Sequence, residues 1–387
     1  MTHRSPRVAI ASRLFLPEVG AAAFRLNELA SSLAATGSDV VVLTTRPPAG
    51  TEPAPRAERV VVNRAPALRD SSGNIRGYVQ YLSFDIPLFF RLLFTRADVV
   101  VAEPPPTTGV VTAISSWIRR RPFVYYAADI WTDGLIALGS PAALVAIMRT
   151  VEGWVLRRAH TVLAVSDEVA EKVREFGVGA DAVVTVGNGI DTAIFTPDGE
   201  SERTEFPTFV YTGIMSEWQG PTVFVEALPL VRERFPLASI QFFGHGSETT
   251  AIHDTAERLG LGAAVRLGGV IPPRDAAKWL RGAAAALASI TPGLGYDFAK
   301  PTKIYAAAAC GTPVVFAGSG VASRLVDDNA LGASALPTPR AVADAMIAVA
   351  ETRSAADGAH LVEWVSQNAS LSAAGGRAAR SVLATIR

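Results

Sequence analysis

VAIASRLFLPEVGAAAFRLNELASSLAATGSDVVVLTT, residues 8–45, contains two short apolar runs, Val8–Ser12 and Val40–Thr45. Between them, apolar residues recur at helical spacing from Ala22 to Leu33, and Gly37 follows as a stop signal. Short, nearly continuous apolar runs are typical of parallel strands that are covered on both faces. The stretch therefore predicts a strand, a helix and a second, parallel strand.

The same alternation continues along the chain on both sides of a polar, proline-flanked segment, Pro197–Pro207, which predicts a linker. Similar apolar runs predict strands at Val60–Asn63, Asp98–Glu103, Phe123–Asp129, Thr161–Ser166, Thr208–Thr212, Ser239–Phe243, Val265–Leu267, Ala284–Ser289 and Thr312–Phe316. The alanine-rich residues 341–387 are predicted to be helical. Strands that alternate with helices indicate the α/β class, with a doubly wound parallel sheet in each half.

Composition limits the class of protein. A chain of 387 residues suggests two or three domains. The 36 basic and 36 acidic residues balance, which argues against a nucleic-acid partner. Cys310 has no partner for an internal disulfide, so a reducing compartment is expected. The apolar run Val8–Ala11 is too short for a signal peptide, and Tyr78–Phe94 is too short and too interrupted for a membrane span. We therefore expect a soluble, cytoplasmic protein.

Candidate site residues in the first half follow predicted strands, where open α/β sheets bind ligands. Gly20 lies between the first strand and its helix, where an unusual φ and free N–H groups would suit an anion; the alternative is an ordinary turn glycine. Asp129 ends a predicted strand and would suit general-base work or sugar binding; the alternative is a helix N-cap. The usual dinucleotide fingerprint GxGxxG is absent from this region.

The second half offers candidates at three further strand ends. Gly213 begins a turn that runs to Gln219, and His245 and Gly246 follow the next strand. A helix is predicted to begin after Pro301, next to two lysines. A helix N-terminus beside lysines favours bound diphosphate, although the lysines could equally form a solvated face. The candidates at this helix are Lys300, Thr302 and Lys303. Histidine, cysteine and carboxylate residues nowhere show metal-ligand spacing.

Taken together, these motifs resemble the retaining glycosyltransferases of the GT-B fold, family 4, and in particular the bacterial branch that adds sugars to polysaccharide or O-antigen precursors. The resemblance spans nearly the whole chain. It is carried by Pro17–Gly20 with the following helix, Pro122–Trp131, Asn188–Asp191 with Phe195 and Pro197, Tyr211–Gly220, and Pro301–Pro313. The block Asn188–Asp191 is the most specific of these.

The resemblance implies two Rossmann-like domains that face each other across a cleft. Residues 1–195 would bind the acceptor, residues 196–365 would bind a nucleotide-diphosphate sugar, and residues 366–387 would form a helix that packs back toward the first domain. Transfer would retain the anomeric configuration and need neither metal nor other cofactor. Gly20 would lie near the diphosphate and the transferred sugar, and Asp129 would face the acceptor or the sugar. The nucleotide side would consist of Gly213, Gln219, His245, Gly246, Lys300, Thr302 and Lys303.

The chain departs from the family pattern at the nucleotide side. Phe298 and Ala306 stand where the family has two glutamates, the second of which holds the ribose, and Asp297 lies next to the first position. Ile214 and Gln219 replace a common arginine and lysine. In the first domain, Ala128 replaces a common histidine. Each loss would remove about 1.5–3 kcal/mol of charged hydrogen bonding. Lys300 and Lys303 are the candidates that would compensate.

The acceptor stays open between a glycan, a lipid-linked molecule and a small molecule. Residues 78–96, with Trp117 beside the arginines at 119–121, could form an interfacial surface at the inner face of the membrane, or an ordinary core helix and a basic loop. Two other functions also remain. One is a degenerate GT-B protein that binds a partner without catalysis, which Ala306 and Ile214 favour. The other is a sugar-nucleotide epimerase.

Overall fold

The computed structural model describes residues 4–18, 20–48, 51, 57–70, 75, 77–137, 139–202, 204–352 and 355–386. Val19, Arg203 and Arg387, which belong to segments discussed above, lie outside the described residues. The chain divides into two compact units. Unit 1 comprises Met1–Asn188 and Leu371–Arg387, and unit 2 comprises Gly189–Ser370.

Unit 1 is built on a parallel sheet of seven strands. The strands are β1 (Arg7–Ala11), β2 (Asp39–Thr45), β3 (Val60–Ala65), β4 (Val99–Ala102), β5 (Phe123–Ala127), β6 (Thr161–Ala164) and β7 (Val183–Thr185). Their order in the sheet is β3-β2-β1-β4-β5-β6-β7. The helices that follow are α1 (Ala21–Ala35), α2 (Tyr78–Phe94), α3 (Pro106–Ile118), α4 (Trp131–Ala137), α5 (Ala142–Arg158) and α6 (Asp167–Glu175).

Unit 2 repeats this architecture with six strands. They are β8 (Thr208–Thr212), β9 (Ser239–Phe243), β10 (Val265–Leu267), β11 (Ala285–Ser289), β12 (Val314–Ala317) and β13 (Gly332–Ala335), in the order β10-β9-β8-β11-β12-β13. The helices are α7 (Thr222–Arg234), α8 (Thr249–Arg258), α9 (Pro273–Gly282), α10 (Thr302–Ala309), α11 (Val321–Asp328), α12 (Pro339–Thr352) and α13 (Ala355–Asn368). The α/β fold with two doubly wound parallel sheets is thus confirmed.

The alanine-rich tail is three helices rather than one. After α13, Ser370 bridges to Ile190, and α14 (Leu371–Ala384) belongs to unit 1. There it packs on α1, and the Nε of Arg377 donates to the carbonyl oxygen of Val186 at 2.8 Å. Gly375 allows the close approach, because a Cβ at this position would lie 2.7 Å from Cγ of Glu28. The last helix therefore completes the core of unit 1.

The central strands are buried along their whole length, as expected when helices cover both faces of a parallel sheet. All five residues of β5 are buried, and successive tyrosines point to opposite faces. Tyr125 packs with α2, α3 and α5, and Tyr126 packs with α1 and α14. Both side chains are almost fully buried, at 1% and 0% exposure.

Some predicted element boundaries were wrong. Asp98, Glu103 and Asp129 lie just outside the strands that were predicted to include them. Strand β7 was missed because it has only three residues, and β13 was missed because its sequence, Gly-Ala-Ser-Ala, is not an apolar run. The predicted linker Pro197–Pro207 lies within unit 2. It is held to α9 by Lys278, whose Nζ lies 3.3 Å from Glu200 and 2.8 Å from Glu202.

The chain reverses its winding direction between β1 and β4 in unit 1 and between β8 and β11 in unit 2. At the first of these switch points a buried ion pair joins α1 to the end of β4. The guanidinium of Arg25 donates to Glu103 Oε1, and Ser12 Oγ donates to Glu103 Oε2 at 3.1 Å. The two charged side chains are only 6% and 5% exposed. Breaking such a pair is costly because it leaves one charge buried and unpaired.

We expect Glu103→Ala to lower the free energy of unfolding by about 3–5 kcal/mol, because the charge of Arg25 would stay buried without a carboxylate. The double variant Arg25→Met/Glu103→Leu should recover most of that loss. Asp39→Ala is the matched control, since the side chains of the Arg59–Asp39 pair are 47% and 57% exposed. Its loss should lower the free energy of unfolding by less than about 1 kcal/mol. Urea denaturation measures all three variants. Equal destabilisation by Glu103→Ala and Asp39→Ala would contradict the prediction.

Candidate functional site

The predicted residues of unit 2 follow three adjacent strands. Gly213 follows β8, His245 and Gly246 follow β9, and the segment from Lys300 to Lys303 follows β11. The strands β9, β8 and β11 are neighbours in the sheet, and the carboxyl ends of parallel strands share one edge. The structure therefore brings these candidates together at the switch point of unit 2.

Two glycine-rich loops pack directly on each other at this edge. Gly213 N–H donates to the carbonyl oxygen of Phe243 at 2.8 Å, and Met215 N–H donates to that of His245 at 3.0 Å. Gly244 has a φ of +138°, and a Cβ there would overlap the carbonyl of Gly213. Glycine is therefore needed for the close approach of the loops. Gly246 serves the same packing, since its Cβ would overlap the backbone of Met215.

Lys303 is the basic group at the centre of this arrangement. Its ammonium lies 3.5 Å from the ring centroid of Tyr211 and 3.5 Å from the carbonyl oxygen of Ile214. Within the described part of the chain, no carboxylate forms an ion pair with it. Burial lowers the pKa of Lys303 well below its ordinary value. A half-buried lysine without a carboxylate partner among the described residues suits a bound anion.

Helix α10 begins at Thr302 directly after Pro301, which confirms the predicted helix start. No side chain caps its first turn, and that turn contains no acidic residue. Its free N–H groups therefore present a partial positive charge at the same strand edge as Lys303. Lys300 is half-buried just before this helix, and Thr302 is exposed at its start.

Two of the predicted nucleotide-binding residues, Gln219 and His245, form hydrogen bonds that support the loop after Gly213. Gln219 is buried, and its carboxamide oxygen accepts a hydrogen bond from the N–H of Ser216 at 3.2 Å. Its side chain thus holds the loop in shape instead of presenting that oxygen to a ligand. His245 has an exposed side chain, and its backbone carbonyl supports Met215.

The positions of the missing glutamates are filled by apolar side chains with opposite environments. Phe298 is 60% exposed, whereas Ala306 is 4% exposed and lies on the buried side of α10. The neighbouring Asp297 accepts from the N–H of Gly293 at 3.2 Å and so is used within its own loop. The side chain of Asp297 therefore serves its own loop, and neither position 298 nor position 306 supplies a carboxylate.

In unit 1, Gly20 precedes the first turn of α1. Its φ is 174°, which is extended backbone that any residue adopts, so the predicted unusual φ was wrong. A Cβ on Gly20 would have no heavy atom within 4 Å, which leaves open space above the helix start. No side chain caps α1 and its first turn contains no acidic residue, so its N–H groups are available to an anion.

Asp129 is exposed in the turn between β5 and α4. The N-cap alternative was wrong, because Glu152 accepts from the backbone N–H groups of Trp131 at 2.8 Å and Thr132 at 2.9 Å. Desolvation by the surrounding protein, followed by the charges of Glu103 and Glu152, raises the pKa of Asp129. Since β1 and β5 flank β4, the ends of these two strands lie about 10 Å apart.

The rings of Tyr81 and Trp131 pack together near Asp129 and form an aromatic wall that the sequence did not predict. The guanidinium of Arg13 lies 4.4 Å from the ring centroid of Tyr81. The ring centroids of Tyr81 and Trp131 are 5.7 Å apart, in a T-shaped arrangement. Asp85 lies one helical turn from Tyr81 and is buried with Oδ2 unpartnered; desolvation raises its pKa. The only signal in the sequence was the position of Arg13 and Trp131 after two strands. The Arg25–Glu103 pair and the cap formed by Glu152 were also missed, because contacts between distant segments leave no local sequence pattern.

Two absences concern only the described residues. No helix there is long and apolar enough to cross a bilayer. No cluster of three or more histidine, cysteine or acidic side chains is placed to hold a metal ion. The expectation that the protein works without a metal stays a prediction.

Comparison with known proteins identifies the family. Residues 20–189 match the model of the glycosyl transferase 4-like domain, and residues 206–352 match the model of the glycosyl transferases group 1. This chain belongs to the GT-B glycosyltransferases of the family 4 type. It transfers a sugar from a nucleotide-sugar donor.

Relatives of this glycosyltransferase support the assignment over most of its length. It is 26% identical to a glycogen synthase of Mycobacterium tuberculosis over 338 residues, which cover 82% of this chain and 79% of the relative. It is 28% identical to a D-inositol 3-phosphate glycosyltransferase of Kribbella flavida over 198 residues, which cover 47% and 46% of the two chains.

Solved structures show the fold of this glycosyltransferase. HepE from Anabaena, solved with UDP, superposes with a TM-score of 0.68 at 18% identity over 98% of this chain and 100% of that chain. WaaG, a glycosyltransferase involved in lipopolysaccharide biosynthesis, gives a TM-score of 0.68 at 14% identity over 97% and 99% of the two chains.

We expect Lys303→Met to weaken the affinity for a nucleoside diphosphate about 10- to 150-fold, the equivalent of one hydrogen bond to a charged group. In the unmodified protein the affinity should fall as pH rises through the lowered pKa of Lys303, because only the protonated amine attracts the diphosphate. Lys303→Arg should remove that pH dependence, since arginine stays charged.

Isothermal titration with the diphosphate over a series of pH values measures these effects. Lys278→Met is the control, because Lys278 is paired with Glu200 and Glu202 and lies on α9. An unchanged affinity in Lys303→Met would show that Lys303 does not contact the diphosphate.

Proposed function

We propose that this glycosyltransferase is a retaining enzyme that moves a sugar from a UDP-sugar to a hydroxyl of a cell-surface glycan or glycoconjugate precursor. The observation that carries the proposal is the ammonium of Lys303, which packs on Tyr211 between the turn at Gly213 and the start of α10 and has no carboxylate partner among the described residues. Retention follows from the resemblance to the family 4 enzymes.

The groups of unit 2 would act on the leaving diphosphate. Negative charge grows on the diphosphate as the glycosidic bond to it breaks. Lys303 and the free N–H groups of α10 are fixed before the reaction, so they would stabilise this charge without rearranging. Thr302 and Lys300 flank the same helix start and would add a hydroxyl and a second cation. No metal ion is needed in this scheme.

The groups of unit 1 would act on the acceptor and on the transferred sugar. Asp129 is an accessible carboxylate with a raised pKa, so it would accept a hydrogen bond or proton from a sugar or acceptor hydroxyl. The open N-terminus of α1 at Gly20 would receive the negative charge of the diphosphate. The aromatic wall of Tyr81 and Trp131 would pack against the acceptor.

Uracil is the proposed base because the Anabaena HepE structures hold UDP, UDP with glucose and UDP-glucose. Because Ala306 has no carboxylate, the ribose should bind more weakly, and most of the affinity should come from the diphosphate. The lower affinity for the nucleoside that follows would not alter the charge stabilisation at the leaving group.

A lipid-linked acceptor at the inner face of the membrane is the proposed partner, and the protein would be a peripheral, cytoplasmic enzyme. The support is a row of large apolar side chains along α2. These side chains recur every four residues and are at least half exposed: Tyr78, Leu82, Ile86, Phe90 and Phe94. A helix with such a stripe lies well at a membrane interface. WaaG, which has the same fold, takes part in lipopolysaccharide biosynthesis.

A binding protein without catalysis is the second candidate function, and Ala306 and Phe298 favour it. The similarity to a putative epimerase from Listeria monocytogenes is at 11% identity and concerns the fold alone. The matches to two glycosyltransferase models support the transferase over the epimerase.

Thermal unfolding with UDP, GDP, dTDP, ADP and CMP tests the donor proposal. A nucleotide at about 100 times its dissociation constant adds about 2.7 kcal/mol to the free energy of unfolding, so UDP should raise the melting temperature clearly. The matching sugar nucleotide is then offered to glycan, lipid-linked and small-molecule acceptors, and the product is analysed by NMR. An inverted anomer would contradict retention, and binding without any product would favour the non-catalytic alternative.

With that acceptor, Asp129→Asn should lower kcat about 100-fold or more while leaving the affinity for UDP unchanged. In the unmodified enzyme, activity should fall as pH drops through the raised pKa of Asp129, since the carboxylate is the active form. Asp133→Asn is the control, because Asp133 is a half-exposed residue of α4 paired with Lys172. Similar rates for the two variants would remove Asp129 from the reaction.

A further inference from the structure

The loop between β11 and α10 exposes apolar side chains at the edge of the unit 2 sheet where Lys303 lies. Leu294 and Phe298 in this loop are 51% and 60% exposed. Ile214, which follows Gly213 after β8, is 56% exposed, and its carbonyl oxygen is 3.5 Å from the ammonium of Lys303. Since β8 and β11 are neighbours in the sheet, the three side chains belong to one strand edge. Exposed apolar side chains that are grouped where a ligand is proposed to bind indicate a ligand with an apolar part.

Contacts within unit 2 hold this loop in place. The N–H of Thr291 donates to the carbonyl oxygen of Trp218 at 2.8 Å, and the rings of Trp218 and Tyr296 stack with their centroids 4.5 Å apart. Further along the loop, the N–H of Val321 at the start of α11 donates to the carbonyl oxygen of Asp297 at 3.3 Å. The backbone that carries the exposed side chains is therefore held from both sides.

The loop offers few partners for a sugar hydroxyl. From Pro292 to Ala299, only Tyr296 and Asp297 have polar side-chain atoms. Both carboxylate oxygens of Asp297 already accept from the N–H of Gly293 at 3.2 Å, and the ring of Tyr296 is engaged in its aromatic stack. A hydroxyl that packs against the exposed apolar side chains would lose its hydrogen bonds to water without gaining an equivalent partner. A methyl group at the same place would instead be stabilised by burial.

The place of the loop relative to the proposed diphosphate indicates which part of the donor it meets. The diphosphate, bound by Lys303 and the start of α10, joins the ribose to the sugar. The family pattern places the ribose at position 306, which lies on α10 about one turn after Lys303. Phe298 lies on the other side of the diphosphate site, before the helix begins. The sugar, at the opposite end of the diphosphate from the ribose, is therefore the part that reaches Leu294 and Phe298.

We propose that Ile214, Leu294 and Phe298 form an apolar subsite that selects a 6-deoxyhexose as the transferred sugar. The inference rests on the proposed function, because it takes the diphosphate site at Lys303 as given. The methyl group on C5 of the sugar packs on the apolar side chains, where the hydroxymethyl group of an ordinary hexose would leave its hydroxyl without a partner. Position 298, which is a glutamate in the family pattern, acts in this chain through packing instead of hydrogen bonding.

Isothermal titration of the full chain with UDP-glucose and UDP-6-deoxyglucose, which differ by a single oxygen atom, tests the proposal. UDP-6-deoxyglucose should bind about 10-fold more tightly. Phe298→Ser should reduce this preference to about 2-fold, because most of the apolar contact with the methyl group is lost. Leu294→Ser should reduce the preference too. Phe206→Ser is the matched control, since Phe206 is 42% exposed but precedes β8, at the opposite edge of the unit 2 sheet. This variant should keep the preference of the unmodified protein.

UDP alone, which carries no sugar, separates this inference from the proposed function. If UDP binds and the two sugar nucleotides bind equally, or if UDP-glucose binds more tightly, the inference is overturned while the proposed donor class stands. If UDP and both sugar nucleotides all fail to bind, the proposed donor is contradicted, and the sugar selectivity is contradicted with it.

UDP-N-acetylglucosamine tests the other common source of a methyl group on a sugar. If it binds more tightly than UDP-6-deoxyglucose and loses this advantage in Phe298→Ser, the subsite takes an acetamido group and the 6-deoxy assignment is wrong. A preference for UDP-6-deoxyglucose that persists unchanged in both Phe298→Ser and Leu294→Ser would show that these side chains do not contact the sugar, which would also overturn the proposal.

Discussion

The strongest constraint on this chain is that both sheets are parallel and covered on both faces. Strands such as β5 and β11 are buried throughout, so they cannot present polar side chains along their length. Chemistry is therefore confined to the strand ends. The structure follows this rule in both units: Asp129 and Glu103 lie just beyond strands of unit 1, and Gly213 and Lys303 follow adjacent strands of unit 2.

The same constraint explains how far the sequence alone could lead. Apolar runs revealed most strands, and three of them, β8, β9 and β10, matched the predicted bounds. The runs also pointed to the residues that follow them, which are the candidate site. Contacts between distant segments leave no such signal. The Arg25–Glu103 pair and the contact between Lys303 and the ring of Tyr211 depend on the packing of elements far apart in sequence.

Glycines and caps show where local reasoning failed. Gly20 was expected to have a special backbone conformation, yet its φ is 174°. Gly244, the glycine that is required, was not among the sequence candidates, and glycine is needed there because the carbonyl of Gly213 packs directly against it. Likewise Asp129 was weighed as a cap, but Glu152 on α5 performs that role. For Gly244 and Asp129, a tertiary neighbour that is distant in sequence decides what the residue does.

The departures from the family pattern can be understood through the charge of Lys303. A glutamate at position 306, on the same helix, would bring negative charge near this ammonium. With alanine there and Phe298 at the other position, Lys303 has no carboxylate partner in the described structure, and burial lowers its pKa. A bound diphosphate would then be the missing counter-ion. In the proposed reaction, the loss of the glutamate would weaken binding of the nucleoside but would leave the cation available to the diphosphate, so the atypical motif is compatible with catalysis.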